Sequence, residues 1–329
     1  MAAQAQQPES KDLPVVLLLR QFPFISSYTD IFSNKFRSLN PSTSSLPLND
    51  FLTTHANSIR ALICSPQKPF TSETLKCIPS LEFVITTSTG IDHIDLNYCR
   101  SKGIRVANAG DVFTEDVADL AVGLLLSVLR KVTEADRYVR TGFWLSKGEF
   151  PLGSKVGGKR VGIVGLGSIG FEVAKRLEAF GCMISYNSRR KKSTVSYLYY
   201  PDVRDLAANS DILIISCALT DETYHIINKD VLSALGREGV VVNVGRGALI
   251  DEKELVRSLL QREIKGAGLD VFENEPAVPK ELLQLDNVVL SPHRAVLTPE
   301  SFSAFHELVI ANLEAFFFNK PLLSSVNLE

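Results

Sequence analysis

Three polar residues in the C-terminal half of the chain each follow a short apolar run: Arg246 in NVGRG, Glu275 in DVFENEP and His293 in LSPHRA. A guanidinium clamps a carboxylate through two hydrogen bonds and polarises a neighbouring carbonyl. An imidazole titrates near neutrality and can give its proton to a developing alkoxide. A carboxylate that accepts a hydrogen bond from the other imidazole nitrogen orients the ring and favours its charged form, raising its pKa. Together they supply what reduction of a 2-oxo acid asks of a protein besides the hydride: a cation for the carboxylate and an acid for the ketone oxygen. Taken singly, each has a plainer explanation: a solvated arginine, a glutamate in a turn, and a structural histidine after Pro292. Their joint appearance after successive strand-like runs makes the set a catalytic candidate, because loops at the carboxyl ends of parallel strands converge on one crevice.

The hydride source is written in residues 160–181, RVGIVGLGSIGFEVAKRLEAFG. The apolar run 161–164 suits a strand buried on both faces. Gly165, Gly167 and Gly170 then take the G-x-G-x-x-G spacing, which gives a tight turn, close approach of a pyrophosphate and close helix–strand packing in that order. Ser168 and the first helical amides, Ile169 among them, face the phosphates, since amides at a helix start lack intrahelical partners. Ile169, Val173, Ala174 and Leu177 form the stripe that holds the helix on the sheet. Glycines also make ordinary turns, but a strand before and a helix after make this a dinucleotide-binding unit. At the end of the next strand, 183–187, NAD would require an Asp or Glu for its ribose hydroxyls. The chain instead reads Asn187, Ser188, Arg189, Arg190, Lys191, Lys192. A hydroxyl and four positive charges suit a 2′-phosphate, with Arg189 the best chelator. NADPH is therefore expected over NADH, against the alternative of a solvated basic turn.

Length and charge narrow the class. The 329 residues allow two domains, each with its own core. A net charge of -2 offers no basic field for nucleic acid or an anionic membrane, so the expected partner is a small molecule. Cys64, Cys77, Cys99, Cys182 and Cys217 have no C-x-x-C spacing and are expected to be buried, reduced thiols. The five histidines show no ligand spacing, so no metal is expected. Residues 1–12 are polar, with neither the apolar core of a secretory signal nor the arginines of a transit peptide, and are expected to be a frayed tail. The last residues are not a peroxisomal S-K-L address. No membrane-spanning run occurs, and the expected compartment is the cytoplasm.

Apolar runs at 15–19, 61–64, 83–86 and 105–107, with helix-compatible stretches such as 71–78 between them, predict a first, smaller parallel α/β domain. The Pro/Ser-rich stretch 39–47 is expected to be a loop. The sequence Thr87-Ser88-Thr89-Gly90 directly follows a strand, where its amides face a ligand or simply turn. Residues 115–140 predict one long helix capped by Thr114, able to bridge the domains. A loop at 142–158 follows with the single tryptophan, Trp144, which serves an interface or a pocket, or simply packs. Strands at 211–216, 240–244, 266–269 and 288–290, with helical patterns such as 252–261 between them, complete a second doubly wound sheet, and an apolar helix is expected over 301–318.

The motifs TSTGIDHIDL, NAGDVFTEDVAD, VGIVGLGSIG, NVGRGALIDE, GLDVFENEP and LSPHRAVLT, in this order, resemble the D-isomer-specific 2-hydroxyacid dehydrogenase family, and within it the plant hydroxypyruvate/glyoxylate reductases that prefer NADPH. The resemblance runs from about residue 15 to the end. It implies an α/β fold of two doubly wound domains, a Rossmann NAD(P)-binding domain over 109–297 and a smaller flavodoxin-like substrate domain over 13–108 plus 298–329, with a deep cleft between them. It implies that Arg246 binds substrate, His293 is the acid/base and Glu275 its partner. It further implies that the backbone at Thr89 and Gly90 holds the carboxylate, that Asp270 holds the nicotinamide amide, and that the chain is a homodimer in which Trp144 reaches the partner's pocket. Arg294 stands where relatives often carry a small or apolar residue, and Thr89 replaces a common valine; both bear on substrate choice. Two other functions share this fold: a nucleotide-sensing corepressor-like protein, which would need long extensions, and an NAD-dependent phosphoglycerate-type dehydrogenase, which would need an acid near Ser188.

Overall fold

Most of the apolar runs become strands of two all-parallel sheets. The computed structural model describes residues 13–19, 26–66 and 71–328; the tail expected over 1–12 lies outside them. Among the described residues, β1 (Val15–Leu18), β2 (Arg37–Leu39), β3 (Ala61–Cys64), β4 (Phe83–Thr86) and β5 (Arg105–Ala107) form a sheet in the order β2-β1-β3-β4-β5. That order is the flavodoxin-like one. The second sheet takes β6 (Arg160–Val164), β7 (Met183–Asn187), β8 (Leu198–Tyr199), β9 (Ile212–Ile215), β10 (Val240–Asn243), β11 (Gly266–Leu269) and β12 (Val288–Leu290) in the order β12-β11-β10-β9-β6-β7-β8. The order reverses beside β6, the switch point at which a doubly wound sheet binds its nucleotide. β3, β4, β9, β10 and β11 are buried along their whole length, which explains why they are apolar but for Thr86 and Asn243 at the ends of β4 and β10.

The helices are α1 (Ser26–Lys35), α2 (Leu48–Thr54), α3 (Ser72–Lys76), α4 (Leu96–Lys102), α5 (Thr114–Arg130), α6 (Val132–Arg140), α7 (Phe143–Lys147), α8 (Ser168–Ala179), α9 (Val203–Ala208), α10 (Lys229–Leu235), α11 (Glu252–Leu260) and α12 (Pro299–Phe317). The chain divides into two compact units, Met1–Phe113 with Thr298–Glu329, and Thr114–Leu297. In the first, Leu17, Leu62, Val84 and Val106 make the core. Phe316 of α12 stacks on Phe83 at 5.1 Å between ring centres, and Lys35 of α1 pairs with Glu314 of the same helix. Val326 donates its N–H to Val106 O at 2.8 Å, which closes the outer edge of β5. In the second unit, Val164, Leu213, Ile215, Val241 and Leu269 are core residues, and α5 packs against α8 and the β10–β11 side of the sheet.

The single helix expected over 115–140 is two. Lys131 takes φ 56, in the left-handed region, and separates α5 from α6. The cause is distant in sequence: Ser154 donates its N–H to Leu129 O at 2.6 Å, and a Cβ on Gly153 would stand 2.8 Å from the same oxygen. The expected loop at 142–158 contains α7, and the 39–47 loop contains a 3-10 turn, Pro41–Thr43. The thiols also differ from expectation. All five cysteines are free, but only Cys64, Cys99 and Cys182 are buried, while Cys77 and Cys217 are partly exposed. Among the described residues, no helix is long and apolar enough to cross a membrane.

Candidate active site

Arg246, Glu275, His293 and Asp270 all lie just beyond the carboxyl ends of β10, β11 and β12. Asn243, the last residue of β10, builds the first turn: its amide nitrogen donates to Arg246 O at 2.8 Å and its side-chain oxygen accepts from Gly245 N at 3.0 Å. Asn243 O also receives Asp270 N–H at 3.0 Å, which joins the β10 and β11 tips. Asp270 is 1% exposed and collects the loop after β12 around its carboxylate. Ser291 Oγ donates to it at 2.6 Å, Arg294 N at 2.9 Å and Ala295 N at 3.1 Å. His293 donates its own N–H to Asp270 O at 2.7 Å and sits at φ 49, a region histidine tolerates better than most residues.

Held in this way, His293 Nδ1 lies 2.6 Å from Glu275 Oε2. Glu275 Oε1 accepts Phe272 N–H at 3.0 Å. Burial raises the Glu275 pKa, but the hydrogen bonds from His293 and Phe272 and the positive fields of His293 and Arg246 outweigh it, leaving the carboxyl below its ordinary value. An ionised carboxylate only accepts, so Nδ1 is the donor. No hydrogen bond among the described residues uses Nε2, and the imidazole side chain is 40% exposed. The ring therefore presents one free nitrogen and has the other fixed.

Two supports went unrecognised in the sequence. Buried Glu252 accepts Glu273 N–H at 3.1 Å, and burial, together with the charges of Glu273 and Glu275, raises its pKa despite that bond. Gly247 packs so closely that a Cβ there would overlap the carbonyl of Phe272, at 1.9 Å from its carbon. The D-E pair after NVGRGALI was the available signal for Glu252; nothing local marks the contact at Gly247.

The glycine-rich turn has the form a pyrophosphate needs. Gly165 has φ 97, and a Cβ there would lie 2.5 Å from the Cys217 backbone. A Cβ on Gly170 would stand 2.2 Å from Gly165 O, whereas Gly167 faces open space, with nothing within 4 Å of a Cβ. No side chain caps the start of α8, so its first amides are left to an anion. Ile169 is partly buried, on the sheet side with Val173, Ala174 and Leu177. At the end of β7, Asn187 amide hydrogens are spent on Tyr200 O and Pro201 O, both at 3.0 Å. Ser188 Oγ donates to Arg190 O at 2.7 Å, folding the basic turn, and Arg189 and Arg190 are exposed. These residues fit a dinucleotide.

In the first unit, Thr89 and Gly90 follow β4. Thr89 O accepts Asn108 Nδ2 at 2.8 Å, Thr89 Oγ1 donates to Gly110 O at 3.2 Å, and Ser88 O accepts Ala109 N at 3.0 Å. Among the described residues no hydrogen bond uses the amides of Thr89 or Gly90. Trp144 in α7 is 67% exposed, beside Leu145 at 96%.

Comparison with known proteins identifies the family. Residues 122–295 match the family described as D-isomer specific 2-hydroxyacid dehydrogenase, NAD binding domain. A glyoxylate/hydroxypyruvate reductase of Arabidopsis thaliana is 58% identical over 322 residues, 98% of this chain and 99% of that one. A hydroxyphenylpyruvate reductase of Plectranthus scutellarioides is 52% identical over 277 residues, 84% of this chain and 88% of that one. The crystal structure of an NADPH-dependent glyoxylate/hydroxypyruvate reductase from Sinorhizobium meliloti, in complex with NADP and malonate, superposes with a TM-score of 0.88 at 37% identity, covering 96% of this chain and 97% of that one. With its two parallel sheets, its uncapped glycine turn and its paired imidazole and carboxylate, the chain belongs to the D-isomer specific 2-hydroxyacid dehydrogenase family.

Proposed function

We propose that the protein is a cytoplasmic, NADPH-dependent reductase of small 2-oxo acids, hydroxypyruvate and glyoxylate first and pyruvate or 2-keto sugar acids after them, yielding D-2-hydroxy acids. The observation that carries this reading is the 2.6 Å contact between His293 Nδ1 and an ionised Glu275, on the same sheet ends as Arg246 and the glycine turn. NADPH, when bound, supplies the hydride. Arg246 binds the substrate carboxylate and polarises the adjacent ketone, and the amides of Thr89 and Gly90 are carboxylate donors. His293 gives its Nε2 proton to the ketone oxygen as charge develops there, while Glu275 holds the ring in register and offsets its positive charge. Asp270 uses three of about four acceptor positions on the loop after β12, and the fourth takes the nicotinamide amide. Arg189, aided by Ser188 and Arg190, chelates the 2′-phosphate; the absence of an acid at the end of β7 supports this choice. The named relatives are reductases of 2-oxo acids, which favours neither the corepressor reading nor the phosphoglycerate one.

The enzyme works as a homodimer, without nucleic acid. The support is the run of exposed apolar side chains at Val132, Val139, Phe143, Trp144, Leu145 and Leu152, which in water favours burial against a second copy. Purified protein should oxidise NADPH in the presence of hydroxypyruvate. His293→Ala should lower kcat by about 100-fold or more with NADPH affinity intact. A variant that turns over at the wild-type rate removes the mechanism.

A further inference from the structure

We propose that His93 is a positioning residue for carboxylate capture, acting through Thr86 and Ser88 to hold the Gly90 carbonyl away from the bound anion. The inference rests on the reading that the Thr89 and Gly90 amides receive the substrate carboxylate. His93 is 8% exposed, and its Nε2 lies 2.8 Å from Oγ1 of Thr86, the fully buried last residue of β4. Thr86 Oγ1 lies 3.1 Å from Ser88 Oγ, and Ser88 Oγ donates to Gly90 O at 2.6 Å.

Proton counting gives this chain a direction. A hydroxyl owns one proton. That of Ser88 goes to Gly90 O, so Thr86 is the donor to Ser88. The Thr86 proton is then spent, and His93 Nε2–H must be the donor to Thr86. The tautomer of His93 is therefore fixed with its proton on Nε2. Cys64, whose sulfur lies 4.0 Å from Nε2, does not compete as a thiolate, because burial pushes its thiol up to about 12.

The loop needs this direction. In a trans peptide the N–H points opposite to the preceding C=O, so a carbonyl bound inward turns the next amide outward. Ser88 O is held by Ala109 N and Thr89 O by Asn108 Nδ2, which turns the amides of Thr89 and Gly90 the other way. Gly90 O is the remaining carbonyl, and glycine is the residue that rotates most freely. Its tether is the relay. Released, its lone pairs can swing toward a carboxylate and repel it.

The test combines kinetics with two readouts independent of turnover. Ser88→Ala and His93→Phe should each raise the KM for hydroxypyruvate about tenfold, the worth of one well-made hydrogen bond. In both, kcat and the NADPH Kd from fluorescence titration should stay within about twofold. His93→Gln, which keeps a donor near Nε2, should restore most of the KM. The double variant should be no worse than Ser88→Ala, since one path is broken once. Nitrogen-15 NMR of labelled histidine should place the proton of His93 on Nε2, and hydrogen exchange across residues 88–91 should quicken in both single variants. An unchanged KM in Ser88→Ala, equal damage to KM, kcat and NADPH binding, or a proton on Nδ1 overturns the proposal. If wild-type protein reduces neither hydroxypyruvate nor glyoxylate, the reductase reading fails alone, and NMR and exchange still decide whether the relay exists.

Discussion

At the residue scale, the proposed brace of the catalytic imidazole is Glu275. Its pKa is held below the ordinary glutamate value, so the carboxylate facing His293 stays ionised to lower pH than an ordinary glutamate does. The sign follows from linkage: a depressed carboxylate contributes above its unfolded pKa, and the contribution is lost as pH falls through the folded one. The acid limb of kcat/KM should therefore lie below the usual range for a glutamate, and Glu275→Gln should lack it while losing at least about tenfold in rate. A pH–rate series on both proteins checks this. The basic turn makes a second prediction. Ser188→Asp combined with Arg189→Ala should shift the kcat/KM ratio toward NADH by about tenfold or more, because an acid there grips ribose hydroxyls and repels a 2′-phosphate. An unchanged ratio would mean that Ser188, already bonded to Arg190 O, only folds the turn.

At the element scale, the three glycines of the β6–α8 turn separate folding from binding. Gly170→Ala forces a Cβ against Gly165 O and should destabilise the protein by about 1–3 kcal/mol, lowering its melting temperature by several degrees. Gly167→Ala meets nothing in the protein and should melt as wild type does, yet weaken NADPH binding by about tenfold or more. Calorimetry and cofactor titration on the pair distinguish the two roles. The same elements show why some of the structure was legible in the sequence. β9 and β10 read directly because strands buried on both faces are built from apolar runs, here ILII and VVV before Asn243. β2 and β8, three and two residues at sheet edges, carry no such pattern. The break at Lys131 depends on Gly153 and Ser154, more than twenty positions away, which no local window contains. In the candidate site, Arg246, Glu275 and His293 stood out because each follows a strand. His93 did not, since it is one histidine in a turn and its importance rests on two hydroxyls that the fold brings within bonding distance.

At the scale of the whole molecule, the exposed aromatic and aliphatic side chains of α6 and α7 predict association. Wild-type protein should sediment as a dimer, and Trp144→Ser with Leu145→Ser should shift it toward monomer and raise the KM for the oxo acid. A monomeric wild type would refute the assembly. Gly247 has a wider consequence. Its missing side chain lets the turn bearing the guanidinium rest directly on the main chain leading to Glu275, so the proposed anion clamp and the proposed brace of the proton donor share one contact. A side chain added at Gly247 should therefore disturb both turns at once. A lineage or an engineer seeking a bulkier substrate therefore has little room for adjustment in this machinery, and must alter the side chains that surround it.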